Sequence, residues 1–175
     1  HETKFSIVRY GNVVGSRGSV VPLFADMVKR GAKELPVTDE RMTRFWITLE
    51  QGVDLVCRTI EEGTGGEIFV PKIPSMKVTD LAKALCPDCT CNIIGIRPGE
   101  KIHECLISED EARTTVDAGE NYIILPSFEF ESSKLGKRYK SYPRVSEGFS
   151  YRSDSNDQWI TVQELKAMVE GLEFD

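Results

Sequence analysis

The stretch FSIVRYGNVVGSRGSVVPLF, residues 5–24, constrains the fold more than any other part of the chain. Its apolar run Phe5–Tyr10 predicts a strand, and Gly11, Gly15 and Gly18 predict a loop. Val20, Leu23, Phe24, Met27 and Val28 then recur at helical spacing until Gly31, with Ser19 standing where an N-cap belongs. A strand, a glycine loop and a helix in this order bring backbone N–H groups and the Asn12 amide to the carboxyl end of a strand, where α/β proteins hold anions. A plain strand-to-helix turn uses the same residues, so the loop alone leaves both readings open. The glycines match neither G-x-G-x-x-G nor a P-loop, and the usual dinucleotide cradle is absent from the sequence.

Strand and helix signals go on alternating downstream, which predicts an α/β fold. Glu34–Val37 and Arg44–Ile47 are short extended candidates. Thr48 and Gln51 make a capping-box pattern before a helix carrying Val53, Val56, Cys57 and Ile60, which Gly63, Gly65 and Gly66 end. EIFVP (67–71) and NIIGI (92–96) predict strands on either side of a helix at VTDLAKAL (78–85), and Thr114–Leu125 predicts a hairpin turning at AGEN. Ser127–Asp157 is polar and aromatic without a period, so it is expected to be an extended arm. A final helix follows, with Thr161 and Glu164 as its capping box and Val162, Leu165, Met168, Val169 and Leu172 as its buried face.

Composition narrows the partners. No run of about 18 apolar residues is present to span a bilayer, and 22 basic against 28 acidic residues, a net charge of -6, disfavour a nucleic-acid surface while leaving room for a local anion pocket. Five cysteines with no secretory signal predict free thiols and a cytoplasmic protein. CPDCTC (Cys86, Cys89, Cys91) lacks a second C-x-x-C, and with only Cys105 or His103 to complete it no metal site is expected. HECLI lacks the second histidine of H-E-x-x-H, which leaves His103 as a helix-face residue, and no G-x-S-x-G elbow occurs. The chain opens on His1 with nothing resembling a signal segment, and the expectation is a cut end.

Two further stretches carry chemistry. In TDERMTRFWI (38–47) Arg44 precedes an apolar strand, and a guanidinium donates two parallel hydrogen bonds well suited to a diphosphate, although a solvated arginine reads the same way. In GIRPGEKIHE (95–104) a strand stops at Arg97-Pro98-Gly99; the turn can aim Arg97 at a phosphate while Glu100 accepts from ribose hydroxyls, or it can be a turn and nothing more.

Taken together, VRYGNVVGSRGSVVPLF, MTRFWITLEQGVDLV, GGEIFVPKIPSMKVTDLAKAL and GIRPGEKIHE resemble the C-terminal half of the inverting UDP-N-acetylglucosamine 4,6-dehydratases, in the polysaccharide-biosynthesis branch of the extended short-chain dehydrogenase/reductases. The likeness runs from Phe5 to Pro126, with a weaker echo in FSYRSDSNDQW. It implies the last strand, loop and helix of an NADP-binding Rossmann domain over 1–31, a UDP-sugar-binding α/β subdomain over 32–126, and an arm and helix over 127–175. It further implies substrate contacts from Asn12, from the Val20 backbone, from Thr38 at the uracil, from Arg44 and Arg97 as a diphosphate clamp and from Glu100 at the ribose, with Tyr10 near the cofactor. The implied substrate is UDP-N-acetylglucosamine, the product a UDP-4-keto-6-deoxy-hexosamine on the way to pseudaminic acid and related surface glycans, and the full-length protein a homo-oligomer. The family's Tyr-x-x-x-Lys pair is missing, since none of the tyrosines at 10, 122, 139, 142 and 151 has a lysine four residues later. No catalytic residue is therefore expected in this chain, which would need an N-terminal Rossmann half to act. A UDP-hexose 4-epimerase relative and a non-catalytic UDP-sugar-binding module are the alternatives.

Overall fold

The computed structural model describes residues 3–127 and 134–170. His1 and Leu172 lie outside the described residues, as does the part of the expected arm at 128–133. In chain order the elements are β1 (Ile7–Val8), β2 (Asn12–Val13), α1 (Val20–Lys29), β3 (Glu34–Val37), β4 (Thr43–Ile47), α2 (Leu49–Glu62), β5 (Ile68–Pro71), β6 (Ser75–Lys77), α3 (Val78–Leu85), β7 (Thr90–Ile93), β8 (Cys105–Ile107), α4 (Glu109–Ala112), β9 (Thr115–Asp117), β10 (Asn121–Ile124), α5 (Lys134–Tyr139), β11 (Tyr151–Arg152) and α6 (Val162–Glu170). They fall into two units that alternate along the chain, residues 1–10, 49–72 and 105–152 forming the first and 11–48, 73–104 and 153–175 the second. The positions 31/32 and 126/127 each fall inside a unit.

The first unit is built on the sheet β1-β5-β10-β9. β1 runs parallel to β5 (Ile7 opposite Ile68, Val8 opposite Phe69) and sits at the edge, while β10 is antiparallel to both β5 and β9. β9 and β10 are the hairpin expected at AGEN, closed by Ala118 N–H donating to Asn121 O at 2.8 Å. Leu55, Phe69, Val116, Ile123, Leu125 and Tyr139 form its core. Tyr139 sits on α5, so the polar segment is not simply an extended arm: it contributes a short helix, the buried Tyr139 and strand β11, which pairs with β8. Glu67 is fully buried. Burial pushes its carboxyl up, but hydrogen bonds from the Thr64 side chain and from the Thr64 and Gly65 N–H groups outweigh that and hold it below its ordinary value.

α2 departs from the simple reading of its apolar stripe. Gly52, Leu55 and Thr59 are the residues it buries, whereas Leu49, Val53, Val56, Cys57 and Ile60 are exposed, Ile60 by 76%. The periodicity places the apolar residues on one face correctly; the helix nonetheless packs through the narrower neighbouring face.

The second unit holds a three-stranded sheet, β2-β4-β6, and the parallel pair β3-β7. β2 lies parallel to β4, with Asn12 opposite Trp46 and Val13 opposite Ile47, and β4 is antiparallel to β6. Gly11 permits this approach, because a Cβ there would stand 2.4 Å from the Phe45 Cβ. The expected strand at 5–10 is thus reduced to β1, and the chain pairs again at β2. Val21, Phe24, Leu35, Met76, Leu81 and Leu165 are fully buried in the core where α1, α3 and α6 meet the strands. Burial of each such side chain contributes roughly 1.5–3 kcal/mol. α6 begins with the expected capping box, Thr161 N–H donating to Glu164 Oε2 at 2.7 Å and Glu164 N–H to Thr161 Oγ1 at 3.3 Å.

Two expectations for side chains are corrected. Cys86 and Cys89 form a disulfide rather than free thiols, because the Pro87-Asp88 turn after α3 brings their Cα atoms to 5.3 Å; Cys57, Cys91 and Cys105 are free. His103 lies in the loop before β8, not on a helix, and its Nδ1 is 2.8 Å from Thr43 Oγ1.

Candidate functional site

A cavity of about 260 Å³ opens within the second unit. Val20, Leu23, Phe24, Met42, Trp46 and Val78 give it an apolar wall, and Asn12, Ser19, Thr38, Arg44, Arg97 and Glu100 its polar lining. All six residues expected to contact substrate, Asn12, Val20, Thr38, Arg44, Arg97 and Glu100, line this one cavity although they come from separate stretches of sequence. Leu23, expected on the apolar stripe of α1, is 50% exposed on the cavity wall, while Val21 is buried in the core. Tyr10 belongs to the first unit, is 37% exposed, and is not among the cavity's residues.

Local sequence explains how each polar group is held. Pro98 and Gly99 turn the chain sharply, with Gly99 at φ 81° and Glu100 N–H donating to Arg97 O at 3.0 Å. The turn folds Glu100 back so that its carboxylate accepts from Arg97 N–H at 3.2 Å and from Thr38 Oγ1 at 3.2 Å. Arg97 leaves its guanidinium exposed at the cavity rim. Arg44, half-buried on β4, is fixed from behind: its Nη1 donates to Thr43 O at 2.7 Å and to Ile102 O at 3.0 Å. Two cations, one anchored and one free to adjust, line a cavity that also holds the first turn of α1, whose N–H groups favour an anion.

Glu104, the last residue of the GIRPGEKIHE stretch, is not among the cavity's residues but touches two of them, Asn12 and Arg44. It accepts from Phe45 N–H at 2.9 Å and lies 3.8 Å from Arg44 Nε. Burial pushes its carboxyl above the ordinary value, with the Phe45 N–H and the Arg44 charge opposing the shift. The Asn12 amide is oriented by the same carboxylate, since only with its NH2 toward Glu104 does it make bonds, at 3.0 and 3.3 Å. With its NH2 held this way, Asn12, which lines the cavity, keeps its carbonyl oxygen as an acceptor. Behind Glu104, Thr43 Oγ1 and Ser153 Oγ share a buried hydrogen bond of 2.7 Å, and Ser153 Oγ accepts from Glu104 N–H at 2.9 Å. Glu104 was missed as an orienting residue because nothing in a linear motif shows that its carboxylate returns to Asn12. Trp46 was missed as a lining residue because a tryptophan in an apolar strand reads as core.

These features define an α/β protein with a pocket lined by two arginines. Residues 1–126 match the family described as polysaccharide biosynthesis protein, and the chain belongs to that family. Its mixed α/β sheets with flanking helices fit a fragment of a Rossmann-like short-chain dehydrogenase/reductase fold. The chain is 50% identical, over 98% of its length, to a UDP-N-acetylglucosamine 4,6-dehydratase (inverting) of Campylobacter jejuni subsp. jejuni serotype O:23/36 (strain 81-176), and covers 53% of that protein. It is 43% identical over 71% of its length to a UDP-glucose 4-epimerase of Rickettsia canadensis (strain McKiel), covering 37% of it. The X-ray structure of Pen from Bacillus thuringiensis superposes with a TM-score of 0.79 at 34% identity, over 95% of this chain and 50% of that one. The chain thus spans about half the length of the dehydratase it matches. No helix among the described residues is long and apolar enough to cross a membrane.

Proposed function

We propose that this chain is the nucleotide-sugar-binding half of a 5-inverting UDP-N-acetylglucosamine 4,6-dehydratase, a lyase making a UDP-4-keto-6-deoxy-hexosamine. The observation that carries the reading is the convergence of Asn12, Val20, Thr38, Arg44, Arg97 and Glu100 on one cavity. In this reading Arg44 and Arg97 neutralise the diphosphate, Glu100 accepts from the ribose hydroxyls, Thr38 and the Val20 backbone meet the uridine, and Asn12 meets the sugar side. The chain's own part in catalysis is to bind and orient; the fixed Arg44 sets where the diphosphate rests, and Arg97 closes over it from the rim.

The cofactor of the reading is NADP, which supplies hydride uptake and return when bound. Tyr10, exposed just past β1, is the residue this chain brings to it; the sequence holds no glycine cradle for a dinucleotide pyrophosphate and no Tyr-x-x-x-Lys pair. In our reading both lie in a preceding Rossmann half. The first unit supports that view: β1 is a parallel strand at a sheet edge, and α2 beside it exposes Leu49, Val53, Val56 and Ile60, the surface that a further α/β layer would cover. The doubled length of the dehydratase relative leaves room for such a half. We further read the complete protein as a cytoplasmic homo-oligomer serving pseudaminic acid synthesis.

The test is to supply the full-length gene product with NADP and UDP-N-acetylglucosamine and look by mass spectrometry for loss of one water. Absence of that product sinks the proposal. The Rickettsia similarity favours a second reading, a UDP-hexose 4-epimerase. An isomeric product of unchanged mass would select it.

A further inference from the structure

Two buried side-chain polar atoms among the described residues have no hydrogen-bond partner, Ser19 Oγ and Trp46 Nε1, and both residues line the same cavity. Trp46 is the more telling of the two. Its indole N–H can only donate, the residue is 3% exposed, and a buried donor without an acceptor is disfavoured strongly enough that native proteins rarely keep one. The other tryptophan gives the contrast: Trp159 Nε1 donates to Asn156 O at 2.7 Å.

Strand geometry places Trp46 within the binding surface. Residues alternate across a strand, so Arg44 and Trp46 share one face of β4, while Thr43, Phe45 and Ile47 point to the other. Trp46 is also in register with Asn12 on β2, so their side chains leave the sheet on the same side. Asn12, its NH2 group held by Glu104, offers an acceptor. The β2-β4 pair thus carries a donor and an acceptor on the same side of the sheet. A phosphate oxygen, which only accepts, suits the donor alone; a hydroxyl or an amide, which both donates and accepts, suits both.

We propose that Trp46 is a specificity-determining residue that donates its indole N–H to a neutral acceptor on the sugar of the bound nucleotide sugar, in tandem with the Asn12 carbonyl oxygen. The inference rests on the reading of the cavity as a nucleotide-sugar site. A site that hydrogen-bonds a ligand group discriminates strongly against ligands lacking it.

The two indole N–H signals of the ¹⁵N-labelled full chain provide the test, with UDP, UDP-glucose and UDP-N-acetylglucosamine as probes. UDP-N-acetylglucosamine is expected to shift the Trp46 signal, UDP to leave it in place, and Trp159 to stay unmoved throughout. A shift with UDP-glucose as well assigns a hydroxyl as the partner; a shift with UDP-N-acetylglucosamine alone assigns the acetamido group. Trp46→Phe, which keeps a ring and removes the donor, is expected to weaken UDP-N-acetylglucosamine about tenfold and UDP by less than about twofold. If the sugar nucleotides perturb the amides at the first turn of α1 while the Trp46 indole stays in place, the pocket reading stands and this proposal falls. It falls also if UDP alone moves the indole as far as the sugar nucleotides do. No response to any of the three ligands overturns the pocket reading and the proposal with it.

Discussion

In the second unit α1 and α6 bury Phe24 and Leu165 completely, whereas α2 of the first unit leaves Val53 52% and Ile60 76% exposed on an equally regular apolar face. The second unit therefore has its own helix-covered core and a cavity lined from its own residues. The first has a sheet with a parallel edge strand and a helix whose apolar side is open. The contrast teaches that amphipathic spacing states which face of a helix is apolar, while only the surroundings state whether that face is covered.

The contrast can be broken most sharply by equal treatment of the two units. Phe24→Ala is expected to cost about 3–5 kcal/mol of stability, and Ile60→Asn less than about 0.5 kcal/mol, both read from urea midpoints. A large loss from Ile60→Asn would mean that α2 is covered in solution, and sedimentation of the two proteins would show whether a second copy does the covering. Next in size, Arg97→Ala removes an exposed charge from the cavity rim. It should weaken UDP by about 1.5–3 kcal/mol in calorimetric titration with an unchanged unfolding midpoint. Gly11→Ala should cost about 1–3 kcal/mol through the clash with Phe45, and should lower UDP-N-acetylglucosamine affinity more than UDP affinity because it displaces Asn12.

The smallest effect separates the units by pH. Burial raises the Glu111 carboxyl of the first unit, but hydrogen bonds from Ser108 and Arg9 leave it below the ordinary 4.5. Its contribution is present above that value and is lost as pH falls below it. In the second unit Glu104 is held above 4.5 by burial, so the native state is disfavoured as pH rises from 4.5 through the raised value. Glu111→Gln should flatten the stability curve on the acid side of 4.5, and Glu104→Gln on the alkaline side. Parallel changes in both variants would refute the assignment.

Much of this was legible in the chain itself, for stated reasons. Capping boxes and 3.6-residue spacing located α1, α3 and α6, and AGEN located the β9-β10 hairpin, because these signals are local. β6, β8 and β11 leave no mark in the sequence because strands of two or three residues hold no period of their own and exist through their partners. The same division runs through the site. RPGE predicts a turn from its own proline and glycine, and motif resemblance picked out the lining residues. The Glu104–Asn12 contact and the orphaned Trp46 donor depend on residues distant in sequence and could not be read from it.

Because the chain passes from one unit to the other after residues 10, 48, 72, 104 and 152, neither unit corresponds to a continuous length of gene. The binding pocket cannot be excised by a single cut or moved between proteins as a cassette. Any recombination that relocates it must carry segments of both units, so the pocket and the open-edged sheet are inherited together.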